Sequence, residues 1–98
     1  TITGWDLVAD VSGSIIIDIW KDTYANYPPT GTGASGAGFD ETITASNEPT
    51  LTSAIKATDS TLTGWTTTLS GGDYLRFNVD ATATTLTRIT LTLTVTKT

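Results

Sequence analysis

The side chains of this sequence that could do chemistry are acids and aromatic rings. Ten acidic residues stand against five basic ones, and there is no histidine, cysteine or methionine. The commonest general base, the commonest zinc ligand and every thiolate are therefore missing, and no disulfide framework can form. What is left for acid–base work is Asp6, Asp10 and Asp18 on neighbouring predicted strands. A glycosidase needs two such carboxyls about 5–9 Å apart in a sugar-binding cleft. Asp6 and Asp10 serve equally as the charged outer face that keeps a sheet in water, and no catalytic residue is expected. Asp40-Glu41 with Asn47-Glu48 offers oxygen ligands of the kind calcium takes. EF-hand spacing is missing, a solvated loop suits the same residues, and neither a metal nor a cofactor is expected.

Trp20, Tyr24 and Tyr27 form the expected ligand-binding surface. Flat rings with a polar edge stack on sugar faces at low entropic cost, and Pro28-Pro29 would stiffen the loop that carries them. The same rings could instead pack at a subunit contact. Trp5 and Trp65, each preceded by glycine, are expected in the core. Ser70-Gly71-Gly72-Asp73 lacks the lysine and the following helix of a phosphate-cradling loop and reads as a hairpin turn. A net charge of −5 and a pI near 4.2 repel phosphate backbones and anionic bilayers, so no nucleic acid and no membrane is expected as a partner. No apolar run approaches the roughly 20 residues that cross a bilayer.

The elements that must position these residues are strands. Twenty-four threonines favour a pleated, half-wet surface, and good helix formers are scarce. Ile2–Val11 alternates apolar and polar, and Val11-Ser12-Gly13-Ser14 reads as a tight hairpin turn into a second strand, Ser14–Lys21. There Ile15, Ile17 and Ile19 share one face and Ile16, Asp18 and Trp20 the other, so both faces carry bulk. If the first set fills the core, Ile16, Asp18 and Trp20 form an oligomer interface, with Asp18 paired to Arg76 or Arg88 beneath a neighbouring subunit, unless a loop from residues 22 to 48 of the same chain covers Ile16 and Trp20. Between Asp22 and Pro49 the alternation stops, and Gly31–Gly38 marks a long loop. Leu51–Ala57 fits a short strand or one helical turn. Trp65–Leu69 and Tyr74–Asp80 follow as strands, the latter with Leu75, Phe77 and Val79 inward. From Ile89, apolar residues alternate with threonines through Val95. About six short strands joined by turns make one all-β domain over residues 1–98, an antiparallel β-sandwich of jelly-roll type. Its second and last strands are expected at the centre, with Leu7, Ile17, Phe77, Leu91 and Leu93 almost wholly buried.

Two stretches carry a resemblance. GWDLVADVSGSIIIDIWKDTYANYPPT, from Gly4 to Thr30, and GDYLRFNVD, from Gly72 to Asp80 ahead of a threonine-rich last strand, resemble a β domain that recurs in tail-fibre and other virion structural proteins of tailed bacteriophages. The resemblance implies a compact sandwich in the virion, at a fibre end or on the capsid surface. It implies a homotrimer set among other virion proteins, contact with host-surface carbohydrate, and no catalytic role. The start at Thr1 fits a module of a longer protein. From the residues alone, the aromatic group leaves open a second reading, a carbohydrate-binding module of a secreted bacterial protein.

Overall fold

The computed structural model describes residues 1–26, 42–80 and 83–97. The expected long glycine-rich loop, Tyr27 and the Asp40-Glu41 pair lie outside the described residues. Among these residues four strands form, β1 (Ile2–Asp22), β2 (Thr50–Asp59), β3 (Tyr74–Val79) and β4 (Ile89–Val95), with one 3-10 turn at Tyr24–Asn26. The architecture is all-β and antiparallel, as the threonine-rich alternation predicts, with the four strands in one sheet. Leu51–Ala57, where the sequence left strand and helix open, lies within β2.

The two expected N-terminal strands are one. β1 runs through the predicted hairpin turn at Val11–Ser14 without stopping and is 21 residues long. β2 pairs with one side of it, while β3 and β4 pair in succession with the other. The centre of the sheet is therefore β1, and the last strand, expected beside it in the middle, is an edge. At about 3.3 Å per residue a straight β1 would span close to 70 Å, yet the longest dimension of the molecule is 38 Å. The strand has to bend, and its pairing with β2 slips on both sides of Gly13. That glycine makes no turn. A Cβ there would stand 2.3 Å from the Thr84 carbonyl oxygen and 2.7 Å from the Thr85 hydroxyl, so glycine is needed for a close approach of two backbones. Thr85, whose φ of 66° is costly for a β-branched residue, is held there by its own hydroxyl, which donates to the Ser12 carbonyl at 2.7 Å.

Bending brings the ends of β1 toward one another. The Ile43 N–H donates to the Ile19 carbonyl, the Thr66 N–H to the Ile43 carbonyl and the Ile2 N–H to the Thr67 carbonyl, at 2.8–2.9 Å. The expected strand at Trp65–Leu69 is thus an irregular bridging segment between the two ends. Asp59 launches it by accepting from the N–H groups of Thr61 and Leu62. Lys21 secures its far end by donating to the Thr68 carbonyl at 2.8 Å.

The core inside this curl holds Ile2, Trp5, Leu7, Ile15, Ile17, Ile19, Ile43, Leu51 and Leu62. Of the five residues expected to be almost wholly buried, Leu7 and Ile17 are. Leu91 and Leu93 are half-buried against the cluster. Phe77 is 53 % exposed, a correction with a clear cause: it shares the core face with its cross-strand partner Ile19, but β3 is an edge strand and the core ends beneath it. Trp65 is half-buried and donates its indole N–H to the Asn47 carbonyl at 2.9 Å.

Gly13→Ala is expected to cost about 1–3 kcal/mol or more, because its methyl meets backbone that cannot move aside cheaply. Gly71→Ala, with nothing within 4 Å of its Cβ, is the control and should be neutral to slightly stabilising. Urea unfolding of the two variants checks the contrast, and equal midpoints would refute the close-approach role of Gly13.

Candidate functional site

The richest gathering of polar side chains lies on the face of β1 that turns away from the core. Strand alternation puts Ile16, Asp18 and Trp20 together there. Pairing adds Arg76 and Asn78 of β3 as the partners of Trp20 and Asp18, and Thr42 on the other side of Trp20. The sequence expectation that this face needs a cover holds, but the cover comes from the chain itself. Asp18 is 5 % and Trp20 2 % exposed. The Arg76 guanidinium lies over the Trp20 ring, 5.0 Å from its centroid, a cation–π contact.

Asp18 organises the cluster. One carboxylate oxygen accepts from the Ile19 N–H at 2.8 Å, from the Thr44 hydroxyl at 2.9 Å and from the Thr42 hydroxyl. The other accepts from the Trp20 indole N–H at 2.8 Å. Three donors crowd one oxygen and one reaches the other, so hydrogen bonds compensate the charge of this buried acid. The expected pairing of Asp18 with Arg76 or Arg88 does not form, since Arg76 lies on the indole. The expected oligomer interface at Ile16, Asp18 and Trp20 is corrected with it: two of the three are interior, and Ile16 is half-buried.

Carboxylate oxygens of Asp18, Glu48 and Asp80 all lie within 4.8 Å of one another. Glu48 comes from the predicted loop of oxygen ligands, while its partners Asp18 and Asp80 come from β1 and from the end of β3. Calcium takes six to eight oxygens, and here Asp18 already accepts four hydrogen bonds from the chain itself. That leaves Glu48 and Asp80, the latter also accepting from the Asn78 amide at 3.0 Å. The chemistry these two can still do is to receive a guanidinium or ammonium group from outside. The one ion pair among the described residues, Lys21–Asp73 at 3.9 Å, lies elsewhere.

No family model, curated protein or solved structure matches the chain. What the site does has to be argued from its own residues.

The predicted aromatic surface does not hold together. Trp20 is structural and Tyr27 lies outside the described residues. Tyr24 is 77 % exposed, with its ring centroid 5.8 Å from that of Tyr74 at an interplanar angle of 43°. Tyr74 was not singled out from the sequence, and Arg76 only as a partner for Asp18; the places of both follow from the register Asp22↔Tyr74 and Trp20↔Arg76, which local sequence does not show. The two carboxylates proposed for acid–base work beside Asp18 are structural in a different way. Asp6 accepts from the Thr58 hydroxyl and borders a shallow depression of about 500 Å³ lined also by Val8, Lys56, Ala57 and Thr58. Asp10 accepts from the Thr87 hydroxyl and from the N–H groups of Thr87 and Arg88. These bonds, the Thr87 hydroxyl first, lower its pKa to about 2.

Two outcomes follow. Asp18→Ala leaves the Trp20 indole, the Ile19 N–H and two threonine hydroxyls without their acceptor, and should cost about 3 kcal/mol or more in urea unfolding. Asp10, whose folded pKa is depressed, contributes stability that is complete above about pH 4 and is lost as pH falls toward 2. Thermal melts of Asp10→Asn should therefore show a flatter decline than the parent across that window, and parallel curves would remove the role given to its hydrogen bonds.

Proposed function

We propose that this chain is a non-enzymatic structural domain of a phage virion, in a fibre or on the capsid surface, whose work is association. The one buried acid among the described residues, Asp18, accepts four internal hydrogen bonds, a poor setting for acid–base catalysis. The observation that carries the reading is the open edge of β3. Phe77 and Val79 extend the core face, opposite Ile19 and Ile17, and each is 53 % exposed. A sheet whose apolar face runs out to an edge among the described residues favours a partner over solvent. The virion setting rests on the resemblance of Gly4–Thr30 and Gly72–Asp80. The homotrimer, the other virion proteins and the host carbohydrate that go with it remain part of the proposal, with the contact moved from Ile16, Asp18 and Trp20 to a surface left uncovered among the described residues.

One observation favours the second reading, a carbohydrate-binding module. Tyr24 and Tyr74 present neighbouring rings of which Tyr24 is largely bare, and such rings stack on sugars. Sedimentation at about 1–200 µM, with a glycan array beside it, separates the two. Concentration-dependent association without a Tyr24-dependent glycan signal is the expected result. A strict monomer whose glycan binding disappears in Tyr24→Ala would overturn the structural reading and establish the other.

A further inference from the structure

We infer that the occupant of the β3 edge is the β3 edge of a second copy, paired antiparallel about a twofold axis at Asn78. This inference rests on the association reading above and specifies its contact, which closes as a twofold dimer in place of the threefold assembly that the resemblance implies.

The backbone sets the first condition. The Asp80 N–H donates to the Ile16 carbonyl, so by the alternation of an antiparallel ladder the residues at 74, 76 and 78 direct their backbone groups to β1. On β1 the intervening residues point the other way, with the Ile17 N–H on the Pro49 carbonyl and the Ile19 carbonyl on the Ile43 N–H. The N–H and C=O groups of Leu75, Phe77 and Val79 therefore face the edge of β3 that no strand pairs among the described residues. Only registers that set these residues opposite one another complete a ladder.

Charge selects among those registers. With Asn78 opposite Asn78 of the second copy, Phe77 meets Val79 and Arg76 meets Asp80, and the twofold axis makes each match twice. Phe77 and Val79 exchange backbone bonds and continue the row of Ile17 and Ile19 across the joint. On the other face Arg76 arrives beside Asp80 and Glu48, the two carboxylates with capacity to receive a guanidinium. Trp20 holds that guanidinium at the level of the sheet face. Sliding the copies so that Phe77 opposes itself puts Arg76 against Asn78 and Asp80 against Tyr74. Sliding further that way opposes Arg76 to Arg76, and sliding the other way opposes Val79 to itself and sets Asp80 against Asn78. One register alone pairs opposite charges and apolar side chains together, and such cross-strand pairs are what fix register in sheets. The contact is of edge-pairing size, below about 1,200 Å², which belongs to weak, micromolar association.

Two pairs of variants test it in the 98-residue chain. A non-hydrogen-bonded antiparallel pair sets its Cα atoms about 4.5 Å apart, within reach of a disulfide. The chain has no cysteine, so Asn78→Cys should oxidise to a covalent dimer while Val11→Cys, exposed on β1, stays largely monomeric. Arg76→Asp sets like charges across the edge and should weaken dimerisation about tenfold or more. Adding Asp80→Arg in the same chain inverts both ends of the pair and should restore it to within about threefold of the parent. Equal oxidation of the two cysteine variants, or a double variant no better than Arg76→Asp, would overturn the register. If the parent associates and the β3 variants leave that association unchanged, this contact fails while the association reading stands. A parent that stays monomeric to about 200 µM defeats both.

Discussion

Every named ladder in this protein is a ladder to one strand. β2, β3 and β4 each pair with β1, so the path of β1 decides where everything else lies. Because a straight strand of that length would be nearly twice as long as the molecule, its bend is a condition of having a core at all. The bend in turn needs a site where two backbones cross more closely than a side chain allows, and Gly13 against Thr84 and Thr85 supplies it. From there the curl follows: Ile2 and Ile19, near opposite ends of one strand, enter a single cluster, and residues 43 and 66–67 bridge them by hydrogen bonds. Removing the bend would separate the two halves of the core, a cost shared by many residues rather than by those that touch the glycine.

Bending also explains why β1 is buried on both faces in its second half. The core face carries the isoleucines expected of it. The other face carries Asp18, an acid whose burial would be prohibitive without partners. It is made tolerable by donors from β1 and by hydroxyls from Thr42 and Thr44, which lie far along the chain. Such a network discriminates more than it stabilises. Slipping the 42–44 segment by one residue would turn the threonine hydroxyls away from the carboxylate and leave it uncompensated, so the network fixes a register that apolar contacts alone would define loosely.

Much of the fold was legible because period-two alternation is a local signal: Ile15–Trp20 and Ile89–Val95 announce their strands, and the bulk on both faces of the first predicts that neither is solvated. What was misread depended on partners distant in sequence. A Ser-Gly pair between two alternating runs looks the same whether glycine is needed for a turn or for a crossing, and only Thr84 and Thr85 decide between them. Phe77 lies on the face its alternation indicates, yet its burial depends on what stands beside β3. Of the candidate site, Asp18 and Trp20 could be seen to matter. Their role could not, because an outward residue covered by its own chain and one covered by a neighbour have the same local pattern. Tyr74, Arg76 and Asp80 acquire meaning only through the register of β3.

The saturation of β1 passes the problem of open edges to its partners, and they meet it differently. β4 alternates apolar residues with threonines whose hydroxyls are content in water, and β2 carries Lys56 and a shifted register, devices that discourage further pairing. β3 has neither. Its basic residue lies on an indole, its apolar side chains face the end of the core, and an acidic pair without an ion pair among the described residues stands at its far end. In a chain with a net charge of −5, two copies repel at long range, though at physiological salt that repulsion fades beyond about 8 Å. At contact distance only the local arrangement counts, and along β3 positive and negative ends alternate in the order that antiparallel pairing makes complementary. An edge composed this way is suited to its own copy in one orientation and poorly suited to the parallel one, where Arg76 would face Arg76 and Asp80 would face Asp80.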